Sequence, residues 1–341
     1  MLISVEHKPW ISKIIRVAGR HLYNFKRRVA GKEVLYCRNL YEGGLAQIWS
    51  DARVVCNCTT DFILGDLRVQ GLASIWNGQR IQSIEQTLNK GILPNRNCFH
   101  CQQLAKLPHL SGRPERKAFP KTIFFEICSL CNMHCRTCFQ KERTAGRKIR
   151  LMEEDFAYRI LDDICKPPEL RFLAFLGFGE PFIHPAANSL IAYAKRIRPD
   201  LIVTTSTNGL LLDTEEKCME LAHAGLDRIT FSIDGGTPQT YAIYNQGGDF
   251  YKVLNNMEQL VKAKQRCGQT TPIVQWSYIL FKWNDEASVI NKALELAESI
   301  GVDLFKIMHT RNPFLGRSTR WPEAVYKKNE KGKFIRLEVK T

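Results

Sequence analysis

The sequence predicts an α/β protein, a partial (β/α)6 TIM-like barrel preceded by a small N-terminal cysteine-rich domain. Three observations predict it. After residue 119, short β-rich runs alternate with apolar periods of helical spacing, the pattern of parallel strands joined by right-handed crossovers. Each polar or glycine-rich cluster falls just after one of those strands, where ligands bind in sheets of this kind. Nine of the twelve cysteines crowd into the first 138 residues.

Strands are expected at 122–127, 170–176, 201–206, 228–233, 272–281 and 303–309. Helical periods lie between them at 152–165, 187–198, 213–224, 251–266 and 286–299. Six strands make an incomplete barrel rather than a full eight. The first strand runs into Cys131-Asn132-Met133-His134-Cys135-Arg136-Thr137-Cys138, a CxxxCxxC loop. Three thiolates on one loop can hold three corners of a cubane iron–sulfur cluster and leave the fourth iron open. Structural clusters are normally closed by four cysteines.

Gly177-Phe178-Gly179-Glu180-Pro181 follows the second strand. Ser206-Thr207-Asn208-Gly209 ends the third, and Ser232-Ile233-Asp234-Gly235 ends the fourth. A lone glycine run signals only a tight turn. Four clusters at successive strand ends point to one binding face. The bland alternatives are capping or turn roles for the polar residues and a structural zinc site for the triad.

Composition narrows the class. The chain of 341 residues is long enough for one large and one small domain. It has no run of eighteen uncharged apolar residues, and Lys13, Arg16 and Arg20 interrupt the apolar N-terminus, which argues against a membrane span or a secretory signal. Paired cysteines without such a signal suggest metal ligands in a reducing, cytoplasmic setting. Cys165, Cys218 and Cys267 sit singly in helical patterns and are expected to be buried small apolar residues. Cys128 is expected to be a buried strand-end thiol.

The net charge of +15 belongs to the ends. Residues 1–32 carry eight Lys/Arg against one Glu, and residues 311–341 carry nine against three, so the middle holds only +2. A basic amphipathic helix over 8–28, with Ile11, Ile14, Ile15, Ala18, Leu22 and Phe25 on one face, could meet a peripheral membrane surface or an acidic partner, or simply pack on the small domain. The tail from Arg311, with Trp321, Tyr326 and Phe334, is expected to cover the open side of the barrel or be partly disordered. Neither end shows a base-reading motif, so nucleic acid is not expected as a partner.

The motifs over 119–311 resemble the radical S-adenosylmethionine superfamily. The resemblance implies that Cys131, Cys135 and Cys138 bind a 4Fe–4S cluster whose open iron is chelated by S-adenosylmethionine. It implies reductive cleavage to a 5′-deoxyadenosyl radical that abstracts a hydrogen from substrate. Gly177, Gly179, Glu180, Ser206, Asn208, Ser232 and Asp234 would contact the cofactor, with Glu180 facing its ammonium. Two positions depart from the family: Thr137 stands where an aromatic residue usually packs on adenine, with Phe139 one place later, and Asn245 falls where many relatives carry arginine.

Residues 37–101 resemble a SPASM-type auxiliary-cluster module, here ahead of the barrel. Cys56-Asn57-Cys58, Leu64-Gly65-Asp66-Leu67, Ile75-Trp76-Asn77-Gly78 and Cys98-Phe99-His100-Cys101 carry it. Four of Cys37, Cys56, Cys58, Cys98 and Cys101 would hold a second, auxiliary 4Fe–4S cluster suited to electron transfer; a structural zinc ribbon is the alternative. The expected organisation is a basic segment at 1–32, the auxiliary module at 33–110, the radical domain at 119–311 and a basic tail at 312–341.

The resemblance implies an oxidoreductase-type or peptide-modifying enzyme supplied by an electron donor such as a flavodoxin or ferredoxin. The first expectation for substrate is a peptide or protein. The alternatives are oxidation of a sugar-like or other small-molecule alcohol and a non-catalytic iron–sulfur or zinc scaffold.

Overall fold

A computed structural model describes residues 34–56, 62–107, 114–140, 144, 146–148, 150–310 and 316–321, together with 18 and 21. Apart from residues 18 and 21, the expected helix over 8–28 lies outside the described residues, as do the tail beyond 321 and Cys58. No described helix is long and apolar enough to cross a membrane.

The N-terminal part contributes β1 (Val34–Cys37), β2 (Leu45–Ile48), β3 (Arg53–Cys56), β4 (Ile63–Asp66), α1 (Leu72–Asn77), α2 (Gln79–Asn89) and β5 (Leu104–Leu107). The barrel part begins with β6 (Thr122–Phe125) and α3 (Glu154–Ile164). It continues through β7 (Phe172–Phe175), α4 (Ala187–Ile197), β8 (Ile202–Thr207), α5 (Glu215–His223) and β9 (Arg228–Ser232). Then follow α6 (Pro238–Tyr244), α7 (Phe250–Arg266), β10 (Ile273–Leu280), α8 (Ala287–Ile300) and β11 (Leu304–His309).

The six strands β6 to β11 pair in chain order, every pair parallel. They form the incomplete barrel that the alternation predicts. Among the described residues β6 and β11 do not pair, so the sheet stays open. The helices form because their apolar residues recur on one stripe. In α3 these are Ala157, Ile160, Leu161 and Ile164, all buried. Side-chain oxygens of Thr214, Thr237 and Asp249 cap α5, α6 and α7 by accepting backbone N–H bonds that the first turns leave unpaired. The short α6, which no sequence period announced, starts on Pro238 within a Thr237–Thr240 capping box.

Alternation along each strand sorts the sheet into two faces. Leu173, Val203, Ile229, Val274, Trp276 and Phe305 join one apolar core under the helices. The opposite face carries Thr204, Ser206, Thr230, Ser232, Gln275, Ser277 and Lys306, with Phe172 and Ile202 exposed toward the strand starts.

The N-terminal cysteine region is not a detached lobe. β2 pairs in parallel with β6, and β3 and β4 follow antiparallel, so one nine-stranded sheet runs through both parts. The added strands pair the β6 edge of the open barrel, which would otherwise present unsatisfied backbone groups. A two-stranded ribbon of β1 and β5 completes the region.

Candidate active site

The cysteine triad sits on the loop leaving β6, and neighbouring segments hold that loop by its backbone. Leu130 O accepts from Glu180 N (2.7 Å), His134 N donates to Gln246 O (3.0 Å) and Arg136 N donates to Tyr244 O (2.9 Å). Gln140 Nε2 donates to Ser129 O (2.9 Å). Cys131 and Cys138 are exposed and Cys135 is half-buried. Burial pushes the Cys135 thiol up to about 12, and the Cys138, Cys131 and Asp234 charges add to it. Burial likewise raises Cys131, helped by Glu180 and Cys138.

Three soft thiol donors therefore share one rim within electrostatic reach of one another. Such a group stays protonated alone and becomes a ligand set when a metal centre supplies positive charge. The residues present fit an iron–sulfur cluster with an open corner. Cys128, by contrast, is buried, its thiol pushed up to about 12 by that burial, and its Sγ donates to Leu130 O (3.4 Å). It is a structural strand-end residue, as expected from the sequence.

The glycine loop packs directly on the cysteine loop. A Cβ on Gly179 would overlap Leu130 O and come within 2.5 Å of Cys128 O, and one on Gly177 would come within 2.5 Å of Glu126 Cβ. Both positions need glycine: at Gly179 two backbones touch, and at Gly177 the loop lies against the Glu126 side chain. Glu180 turns inward and is buried. Its carboxylate accepts from Thr207 Oγ1 (2.8 Å), Asn208 N (2.7 Å) and Phe182 N (3.2 Å). Burial pushes it up to about 7 against those hydrogen bonds. The structure thus gives Glu180 a bracing contact to the end of β8.

Asn208, braced in this way, aims its amide at the cysteine loop. Nδ2 lies 2.7 Å from Asn132 Oδ1 and 4.0 Å from Cys131 Sγ. Ser206 and Ser232 lie half-buried on the open face, one beside Thr230 and the other beside Ser277 in the strand register. Asp234 is buried, accepts from Ile279 N (2.6 Å) and is pushed up to about 7 by burial.

The two departures have structural explanations. Asn245 is buried; its Oδ1 accepts from Asp234 N (3.0 Å) and its Nδ2 donates to Ser232 O (3.4 Å), so it ties α6 to the β9 end. Thr137 lies beside the Tyr244 hydroxyl. Tyr244 stacks on Phe281 (4.7 Å between centroids), Phe281 stacks on Trp283 (4.7 Å), and Arg136 lies 5.1 Å from the Trp283 centroid. Sequence reasoning missed this aromatic stack because Tyr244 and the Phe281–Trp283 pair lie in two separate segments, with Arg136 in a third.

In the N-terminal region the structure brings Cys37, Cys56, Cys98 and Cys101 together. They line one apolar cavity with Phe62, Leu64, Trp76 and Leu88. Burial raises the Cys37 thiol, and the neighbouring Cys56 and Cys101 charges raise it further. Among the described residues no three His, Cys, Asp or Glu side chains are grouped as a single metal ion would require. Of the three isolated helical cysteines, Cys165 and Cys218 are buried as expected. Cys267 is only partly buried, because it caps the end of α7, with its Sγ 3.7 Å from His223 Nδ1.

Residues 125–275 match the model of the Radical SAM superfamily, and the match spans the triad, the glycine loop and the ends of β8 and β9. The chain carries a Radical SAM domain. Residues 28–102 match the SPASM iron–sulfur cluster-binding domain, so this radical SAM chain carries its auxiliary module ahead of the barrel. Both domains are of kinds that bind 4Fe–4S clusters, and the radical SAM domain also binds S-adenosylmethionine.

Among curated relatives, the tungsten-containing aldehyde ferredoxin oxidoreductase cofactor-modifying protein of Pyrococcus furiosus is 33% identical over 167 residues, covering 48% of this chain and 45% of its own. The GTP 3′,8-cyclase of Peptoclostridium acidaminophilum is 28% identical over 190 residues, 54% of each chain. The AdoMet-dependent heme synthase of Methanosarcina barkeri is 28% identical over 192 residues, covering 55% of this chain and 50% of its own. The chain thus spans about half the length of the curated relatives it matches.

Proposed function

We propose that this radical SAM protein is an enzyme that abstracts a hydrogen atom from a substrate lying against the open face of its six-stranded sheet. One observation carries the reading: the cysteine loop, the Gly177–Glu180 loop and the end of β8 are hydrogen-bonded into a single rim beside that face. When bound, a 4Fe–4S cluster on Cys131, Cys135 and Cys138 together with S-adenosylmethionine supplies the 5′-deoxyadenosyl radical.

The chain's own residues orient and enclose. Gly177 and Gly179 keep the glycine loop tight on the cysteine loop. Asn208, Ser206 and Ser232 offer polar groups toward the cofactor, and Glu180 and Asp234 fix the strand ends that carry them. Cys37, Cys56, Cys98 and Cys101 are assigned to the auxiliary 4Fe–4S cluster. Four thiolates leave no open iron, so that centre serves electron transfer, with a flavodoxin or ferredoxin as external reductant in the cytoplasm.

A peptide or protein substrate is the first reading. A small-molecule substrate is favoured by the chemistry of the open face. Seven side chains there bear hydroxyl, amide or ammonium groups: Thr204, Ser206, Thr230, Ser232 and Lys306, with Gln275 and Ser277 buried beneath. Arg228 lies on the same face, and among the described residues neither Arg228 nor Lys306 has a carboxylate partner. Such a surface suits a hydroxylated molecule with an anionic group. The names of the relatives, with their cofactor and GTP substrates, lend support.

Anaerobic reconstitution followed by dithionite and S-adenosylmethionine tests the enzyme reading. 5′-Deoxyadenosine should form above the level of a Cys131→Ala control, and its absence would refute the proposal. Deuterium transfer into 5′-deoxyadenosine from deuterated anionic small molecules, rather than from deuterated peptides, would select the second substrate reading.

A further inference from the structure

One buried carboxylate joins three segments that are remote in sequence. Glu126, at the end of β6, is 1% exposed. Its Oε1 accepts from Ser50 N and Ser50 Oγ, both at 3.1 Å, and from the Arg147 guanidinium. Its Oε2 accepts from Phe178 N at 2.9 Å, inside the glycine loop. Ser50 belongs to the β2–β3 turn of the cysteine-rich module, so Glu126 stands between that module and the loop that packs on the triad.

The surroundings make this bridge stiff. The Arg147 side chain is 3% exposed and lies 4.0 Å from the Trp49 ring centroid, with Asp51 at 3.9 Å. Trp49 and Asp51 flank Ser50 in the same turn. Gly177 has no room for a side chain against Glu126, so the glycine loop is seated on the carboxylate's own stem. A buried charge this far from water must keep its donors, and losing one leaves a poorly compensated anion. Moving the Ser50 turn therefore moves the carboxylate, and with it the Phe178 amide.

We propose that the Ser50 turn of the N-terminal module sets the position of the Gly177–Glu180 loop through Glu126, making Ser50 and Glu126 positioning residues for cofactor capture. The cofactor-capture part rests on the enzyme reading above; the mechanical coupling does not. Ser50 donates to Glu126 and to Ser129 Oγ (3.0 Å), and no hydrogen bond links it to the glycine loop directly. Its shortest hydrogen-bonded route to Phe178 runs through the carboxylate, and a second route through Ser129 and the cysteine loop is separated by the Ser129 variant below.

Amide hydrogen exchange on the full chain without cluster tests the coupling. Glu126→Gln should speed exchange at the Phe178 amide roughly tenfold or more, the loss expected for a buried charge-assisted bond, and Ser50→Ala several-fold. Ser129→Ala, which removes the other partner of Ser50 and leaves every donor of Glu126, should leave Phe178 at the wild-type rate. Amides of α8 serve as a marker of global unfolding and should not change in any variant.

In the reconstituted protein, Ser50→Ala should weaken S-adenosylmethionine binding several-fold, read from the shift of the cluster's electron paramagnetic resonance signal, and Ser50→Thr should restore it. Wild-type Phe178 exchange in Ser50→Ala and Glu126→Gln would overturn the coupling. Wild-type affinity with accelerated exchange would overturn the role in capture. Failure of the wild-type chain to bind S-adenosylmethionine would instead overturn the enzyme reading, with the exchange result left standing.

Discussion

Gly179→Ala is the sharpest test of how the site is built. The added Cβ overlaps Leu130 O and sits 2.5 Å from Cys128 O and 2.8 Å from the Ser129 carbonyl carbon. All three are backbone atoms, so no flexible side chain can swing away. Either the cysteine loop or the glycine loop must retreat, by roughly 1 Å to reach ordinary contact. Overpacking of this kind costs about 1–3 kcal/mol. Retreat also stretches the Glu180 N to Leu130 O bond, now 2.7 Å, at a cost of about 1 kcal/mol. The total is about 2–4 kcal/mol, and Gly179 has no left-handed φ, so sterics alone account for it.

The assay has two arms. Chemical denaturation of the cluster-free protein should show that loss of stability. Reconstitution should give a triad cluster that is lost more readily to a chelator than in wild type, with the auxiliary cluster unaffected. Wild-type stability together with wild-type cluster retention would refute the claim that the two loops are in backbone contact.

The remaining predictions are brief. Alanine at Cys131, Cys135 or Cys138 should lower iron from about eight to about four per chain, as should alanine at Cys37, Cys56, Cys98 or Cys101, whereas Cys58→Ala should leave it unchanged; zinc in place of the missing four irons would make the N-terminal site structural. Asp234, with its folded value raised from 3.8 to about 7 by burial, binds its proton more tightly folded than unfolded. Its contribution to stability is therefore greatest below about pH 4 and declines as pH rises toward 7, by at most about 4 kcal/mol. Melting curves of Asp234→Asn should lack that decline relative to wild type, and parallel profiles would count against the burial of a charge there. Replacing Asn245 with Ala should remove two bonds to the β9 end and cost about 1–3 kcal/mol in urea unfolding.

Much of the barrel was legible because its signals are local. The helix over 251–266 appears as Phe250–Arg266, since one apolar stripe repeats along it. The strand expected at 303–309 appears as Leu304–His309 for the corresponding period-two reason. The triad was legible for the same cause, as its ligand spacing is written within eight consecutive residues. Asn245 was not: it looked like a missing arginine, and its hydrogen bonds to Ser232 and Asp234 depend on how α6 docks.

The sequence by itself determined the strand–helix alternation, the open-cornered cysteine loop and the order of the two cysteine regions, all carried by spacing along the chain. The tertiary structure alone decided that Cys37, Cys56, Cys98 and Cys101 share a cavity, and that β2 extends the barrel sheet at β6. It also decided that Glu126 holds Ser50 and Phe178 at once. Those pairings bring together residues tens of positions apart. Strand register and the burial of a shared charge fix them, and no local period of the sequence records either.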